Sequence, residues 1–270
     1  MERSSCSLCV AFGGGGAPAL ASLGVMSVLS RHNIAPAAVA GTSMGAAIAA
    51  YYGVHGETET LRRWFEERSI KDYALLVRLP RRWGLIGTVR LERLVEEMLG
   101  FQTFASTRVP VRIVATDIGS GERKVFSEGA LAPAVIASGT IPGFFAPYQH
   151  CGRSYIDGIF ADPTPVSAYP VSAYDYFLAL DYHLASEDIS RLDPVSLLVR
   201  AGRVASHAAF EYRMREHLQK TTVIAPNNAP SSELLRFDRA KEFIRSGEIA
   251  GQALVLDWQE QGLCDAIRGS

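Results

Sequence analysis

Three groups of residues in this chain have the types and spacing that acyl-transfer chemistry requires. The first is Gly41-Thr42-Ser43-Met44-Gly45, a G-x-S-x-G pentapeptide between an apolar run at 34–40 and a helix-like stretch at 46–52. A serine at a strand-to-helix turn is held with its hydroxyl outward, and small flanking residues let the chain fold that tightly. The helix that follows turns its positive end toward the hydroxyl, where negative charge would develop. The second group is Gly13-Gly14-Gly15-Gly16, directly after an apolar strand pattern and before a helix. Its bare N–H groups suit an anion at a helix N-terminus. The run lacks the Gly-Lys-Ser/Thr of a phosphate loop, and Pro18 breaks a G-x-G-x-x-G reading. With a nucleophilic serine downstream, an oxyanion hole is the better fit, although four glycines also make a turn. The third group is Asp157-Gly158, after a strand-like 154–156. Alone it initiates a turn. Beside an activated serine, the carboxylate takes the serine proton directly, which needs hydrogen-bond contact and a tuned pKa.

A Ser-His-Asp triad is the competing arrangement, and the chain has six histidines. His183 and His207 lie downstream of Asp157, but none of the six sits in a Gly-rich loop that would present it to a cleft. His207 and His217 fall within a long helical pattern. Each reads as a surface or packing residue. The four cysteines include Cys6-x-x-Cys9, but no second pair or nearby histidine completes a zinc site, so no metal is expected. Cys6 and Cys9 read instead as small residues entering a buried strand.

These residues need a scaffold, and the remaining pattern supplies one. Strands are expected at 8–12, ending at 39–40, at 111–116, at the end of 118–126 and at 177–180. Helices are expected at 18–32, with proline near the start, and at 44–52, 57–68, 90–99, 194–218 and 233–261. In the 90–99 helix, Leu91, Leu94, Val95, Met98 and Leu99 share a face. The alternation predicts an α/β layered fold around a largely parallel sheet. At 270 residues and 48% hydrophobic, the chain suffices for one domain spanning 1–270. A net charge of −1 gives no global attraction for nucleic acid. No signal peptide and no uninterrupted apolar stretch of about 18 residues is evident, so a cytoplasmic protein is expected. Segment 73–87 interleaves Leu75, Leu76, Val77, Leu79, Trp83, Leu85 and Ile86 with Arg78, Arg81 and Arg82. It suits peripheral contact with anionic lipid, or equally a core-packing connection with solvated arginines.

Taken together, these pieces resemble a patatin-like phospholipase of the short bacterial type. The Gly-rich loop at 13–16, the Ser43 pentapeptide, Val114-Ala115-Thr116-Asp117, Ala137-Ser138-Gly139-Thr140-Ile141-Pro142-Gly143 and Asp157-Gly158 occur in the family's order. Phe237-Asp238 with Ile244 and Gly247 resembles its C-terminal helix. The resemblance implies a three-layer α/β/α sandwich with a largely parallel central sheet, and a Ser-Asp dyad in place of a triad. It makes Ser43 the nucleophile, Asp157 the base, and the backbone of Gly14, Gly15 and Gly16 the oxyanion hole, with neither metal nor cofactor. The implied activity is serine hydrolysis of lipid acyl esters through an acyl-enzyme. Transfer of the acyl group to an alcohol or thiol, or lipid binding with weakened catalysis, are the alternatives. Two positions depart from the family: Pro18 stands where a basic residue is usual, and Ile159 where Gly or Ala usually follows Asp-Gly.

Overall fold

The structure is a computed structural model describing residues 6–67, 89–182, 190, 192, 194–227, 229–230 and 233–268. Its strands are β1 (Leu8–Phe12), β2 (Ala38–Thr42), β3 (Val111–Asp117), β4 (Arg123–Phe126), β5 (Tyr148–His150), β6 (Arg153–Ile156), β7 (Tyr176–Leu180) and β8 (Thr221–Ile224). Its helices are α1 (Ala21–Arg31), α2 (Met44–His55), α3 (Glu59–Glu67), α4 (Val89–Leu99), α5 (Leu131–Gly139), α6 (Pro194–Met214), α7 (Ala240–Glu260) and α8 (Leu263–Arg268). One sheet runs β5-β6-β3-β2-β1-β7-β8, with β4 also paired to β3. From β3 to β8 the pairing is parallel, and β4, β5 and β6 form an antiparallel flank.

Alternation along the central strands splits the core in two. Leu8, Val10 and Phe12 of β1 point into the larger apolar layer under α1, α2, α5 and α7. Cys9 and Ala11 point to the opposite face, covered by Val166, Tyr169 and the end of α6 at Phe210 and Met214. A period of two places successive side chains on opposite faces, so a strand buried on both sides reads as continuously apolar. The fold is therefore the expected three-layer α/β/α sandwich. Among the described residues, no helix is long and apolar enough to cross a membrane.

The elements differ from the sequence pattern in instructive places. β2 runs on to Thr42, which pairs with Val114, so the turn is pinched to Ser43 itself. The helix expected from residue 18 starts as a 3-10 turn, Ala17–Leu20, before α1. The long helix expected over 194–218 ends at Met214, and the last one starts as a 3-10 turn at Phe237–Arg239. α5, α8, β5 and β8 were not expected. α5 reads Leu-Ala-Pro-Ala-Val-Ile-Ala-Ser-Gly and is buried along most of its length, so it shows no amphipathic stripe to betray it. Segment 73–87 and His183 lie outside the described residues.

The sheet's larger face is closed by α1 crossing α7 at backbone distance. A Cβ on Gly247 would fall 1.8 Å from the carbonyl oxygen of Ala21, and one on Gly24 would fall 2.0 Å from that of Ile244. Backbone on both sides leaves nothing flexible to yield. Gly247→Ala is therefore expected to destabilise the fold by about 1–3 kcal/mol, a fall in Tm of roughly 3–10 °C. Calorimetry of the variant checks this, and an unchanged Tm would show that the helices separate without cost.

Candidate active site

The carboxyl ends of β1 and β2 are neighbours in the parallel core, so the glycine loop and Ser43 emerge side by side. Open α/β sheets place their binding crevices at this edge. The antiparallel strand β6 returns along β3, pairing Ile156 with Thr116. Asp157 is thereby delivered to the same edge, close to the Thr42–Val114 pair of β2 and β3.

Ser43 sits at φ 56° and ψ −124°, a conformation that non-glycine residues rarely adopt. It is held there by its own peptide groups. Its N–H donates to the Ser138 hydroxyl at 2.8 Å, and that hydroxyl donates to the Val114 carbonyl at 2.6 Å. Its carbonyl accepts from Ala46 and Ala47 in the first turn of α2. The side chain is then aimed at one partner: Ser43 Oγ donates to Asp157 Oδ2 at 2.6 Å.

Asp157 is fastened as firmly. Its N–H donates to the Thr140 carbonyl at 2.9 Å, and its carbonyl accepts from the Thr116 hydroxyl at 2.9 Å. The second carboxylate oxygen, Oδ1, accepts the N–H of Ile159 at 2.9 Å. The group is 0% exposed. Burial penalises the charged form and lifts the carboxyl from its usual 3.8 to about 7, against the opposing pull of the hydrogen bonds from Ser43 and Ile159. Among the described residues, no histidine bonds to either member of the pair. His207 faces Glu211 on α6 at 3.3 Å, and buried His217 meets the Tyr169 carbonyl under the other face of the sheet.

The four glycines divide the work of their loop. Gly13 and Gly14 tie it down, donating to the carbonyls of Leu180 and Pro163 at 2.9 Å each. The N–H groups of Gly15 and Gly16 have no acceptor among the described residues. Of the three N–H groups expected as donors, that of Gly14 is thus committed to the scaffold. Gly16 adopts φ 61°, and a Cβ there would strike the Leu234 carbonyl at 2.2 Å, so no other residue fits.

Both departures from the family have a local explanation. Ile159 is buried with Ile141, Val199 and Leu234, and a Cβ on Gly14 would lie 2.4 Å from its Cγ2. The larger side chain at 159 fills the space that the glycine leaves. Pro18 occupies the 3-10 turn after the loop, and its carbonyl accepts from Asn227 Nδ2 at 2.9 Å. An arginine still borders the loop: buried Arg203 of α6 lines a narrow cavity with Gly15 and Pro18. The sequence alone offered no means of finding it, because Arg203 is far from the loop along the chain.

A cavity of about 160 Å³ opens at Ser43 and Gly16. Its walls are almost wholly apolar, from Trp64 and Phe65 of α3, Leu94 and Met98 of α4, and Phe237. The rings of Phe65 and Phe237 stack with centroids 6.3 Å apart. The shared face expected for α4 is the face that lines this cavity. Among the described residues, no three of His, Cys, Asp and Glu gather as a metal site. Sequence reasoning assigned no role to Ser138, Thr140 or Thr116, the residues that hold the pair in place. Their signal was the short motifs 114–117 and 137–143, which become interpretable once α5 is known to end beside β3.

Several known proteins are similar to this chain. A family model described as patatin-like phospholipase matches residues 10–169. An NTE family protein of Mycobacterium tuberculosis, itself uncharacterized, is 32% identical over 169 residues, 61% of this chain and 46% of its own length. The match thus spans about half the length of that relative. The lysophospholipase NTE1 of Meyerozyma guilliermondii is 22% identical over 289 residues, covering 95% of this chain and 20% of that protein. Among solved structures, VipD from Legionella pneumophila aligns over 94% of this chain and 67% of its own, with a TM-score of 0.45 and 14% identity. With the family model covering more than half of its length, the chain belongs to the patatin-like phospholipases.

Proposed function

We propose that this protein is a serine acyl hydrolase of lipid esters, built as a single domain over 1–270 and acting through Ser43 and Asp157. The observation that carries the reading is the 2.6 Å hydrogen bond from Ser43 Oγ to a fully buried carboxylate titrating at about 7. A general base is most effective when its pKa lies near the working pH, because it is then both ionised and basic. Ionised Asp157 takes the serine proton as Oγ attacks the ester carbonyl. The oxyanion that forms is met by the N–H groups of Gly15 and Gly16, aided by the positive end of α2. Protonated Asp157 then returns the proton to the departing alcohol, leaving the acyl group on Ser43. Water, deprotonated by the same carboxylate, releases the acid. The apolar cavity at Ser43 supports a hydrocarbon acyl chain as the part of the substrate held closest.

Ser43→Ala removes the nucleophile and is expected to lower kcat/KM for p-nitrophenyl esters by about three orders of magnitude or more. It should also abolish labelling by a fluorophosphonate. In the wild type, kcat/KM should rise with pH through a midpoint near 7, since only the carboxylate form of Asp157 acts as base. His207→Gln should leave that limb in place. A Ser43→Ala protein within a few-fold of wild type, or a limb that follows the histidine, overturns the dyad.

The same carboxyl makes a prediction about stability. Its pKa is higher folded than unfolded, so between about 4 and 7 the native state binds more protons, and its stability falls as pH rises through that window. Asp157→Asn keeps an acceptor for the Ile159 N–H and offers a donor to Ser43 without burying charge. Inactive Asp157→Asn is therefore expected to melt above wild type at pH 8, by several degrees for about 1–2 kcal/mol, with the advantage shrinking toward pH 5. Paired melting curves at the two pH values check this. An advantage that grows on acidification contradicts a raised carboxyl.

A further inference from the structure

Helix α6 lies beyond residues 10–169, the part of the chain that the family model matches. We infer that α6 is the brace of the Asp157 turn and that Ser206 is a positioning residue for the Ser43–Asp157 pair, an inference that rests on the acyl-hydrolase reading above. Three successive residues after Gly158 are each gripped by α6 in a different way. The Ser206 hydroxyl donates to the Ile159 carbonyl at 2.8 Å in a buried setting. One turn earlier, the Phe160 ring lies against the helix backbone at Gly202, where a Cβ would come within 2.2 Å of Cε1. Farther along, Arg213 Nη1 donates to the Ala161 carbonyl at 2.7 Å. Val199 packs on the Ile159 side chain. Positions 199, 202, 206 and 213 recur at helical spacing on a single face. That face is therefore committed to the turn that carries the base.

The grip reaches the reacting atoms through one residue. Ile159 receives the Ser206 hydrogen bond on its carbonyl and gives its own N–H to Asp157 Oδ1 at 2.9 Å. Without the Ser206 hydroxyl, the Ile159 carbonyl is buried unsatisfied, and the turn must shift to relieve it. The carboxylate then loses one of its two donors and the alignment of Oδ2 with Ser43. Deprotonated Asp157 becomes harder to sustain. The other charged groups at this turn stay in place under such a substitution. Arg213 belongs to the same helix face, Arg203 lines the cavity at Gly15, and Arg123 from the sheet is paired with buried Asp162.

The test uses the full-length chain with Ser206→Ala and Ser206→Thr, assayed on p-nitrophenyl butyrate and normalised to the fraction labelled at completion by fluorophosphonate. Ser206→Ala is expected to lower kcat about ten- to a hundredfold, as misplacement of a reacting group does. KM should stay within about threefold. The midpoint of the acid limb of kcat/KM should move to higher pH. Ser206→Thr, which restores the hydroxyl, should recover both kcat and the limb. If Ser206→Ala fails to accumulate as folded protein, Ser206→Cys, close in size and a weaker donor, takes its place with the same expected directions. A serine-free variant with wild-type kcat and an unmoved acid limb overturns the brace. So does a loss that vanishes on normalisation to labelled protein. Either result beside an inactive Asp157→Asn leaves the dyad standing, whereas an active Asp157→Asn overturns the dyad and this inference together.

Discussion

The arrangement rests on keeping one carboxyl group entirely out of water with, among the described residues, two donors to hold it. Asp157 has the Ser43 hydroxyl on one oxygen and the Ile159 N–H on the other. A carboxylate with three or more donors, or beside a cation, would be stabilised in its charged form and would be a feeble base. Here desolvation wins, and the group titrates near neutrality. An imidazole reaches that range unaided. In the proposed chemistry, burial moves a carboxylate to where a histidine would otherwise be needed, which is why a dyad suffices.

The surroundings follow from that constraint. In the proposed chemistry, extra donors must be kept away from the carboxylate while donors for the oxyanion stay available a short distance off. The loop at 13–16 meets both demands by spending the N–H groups of Gly13 and Gly14 on the carbonyls of Leu180 and Pro163. Two anchored peptide units fix the direction of the two that follow, whose N–H groups have no acceptor among the described residues. Unusual backbone conformations at Gly16 and Ser43 border the same crevice. At Ser43, strain of this kind costs about 1–3 kcal/mol and persists only where surrounding packing over-determines it. The parallel strands β1 and β2, buried on both faces, supply that packing.

What the sequence disclosed and what it concealed divide along a physical line. Ser43, Asp157 and the glycine loop were legible because each carries a local signature: a pinched turn, a strand end, bare N–H groups. The parallel core was legible because strands such as Leu8–Phe12 are apolar without interruption. Partnerships across the fold were not. Nothing near Gly14 in the chain announces that its N–H is taken by Pro163, and nothing near Ser138 says that its hydroxyl sits between Ser43 and Val114. Helix α5 was hidden by its own burial. β8, with the sequence Thr-Thr-Val-Ile, gains its meaning only from pairing with β7.

Ile159 connects these levels. From the sequence it stands out only as a residue larger than expected after Asp-Gly. In the structure its side chain fills the hollow over Gly14 and packs on Val199 and Leu234, its N–H holds the carboxylate, and its carbonyl is held by Ser206. A glycine or alanine at 159 would lose the apolar contact with Val199 and Leu234 and leave the turn after Asp157 held by hydrogen bonds and the Phe160 ring. A buried isoleucine adds a hydrophobic anchor on the order of 2 kcal/mol, made from α6 and from the segment leading to α7. Position 159, which departs from the family, is thus the point at which the C-terminal part of this chain takes hold of the Ser43–Asp157 pair. Residues beyond 169 contribute to the site through Ile159 as well as through Phe237, which lines the cavity at Ser43.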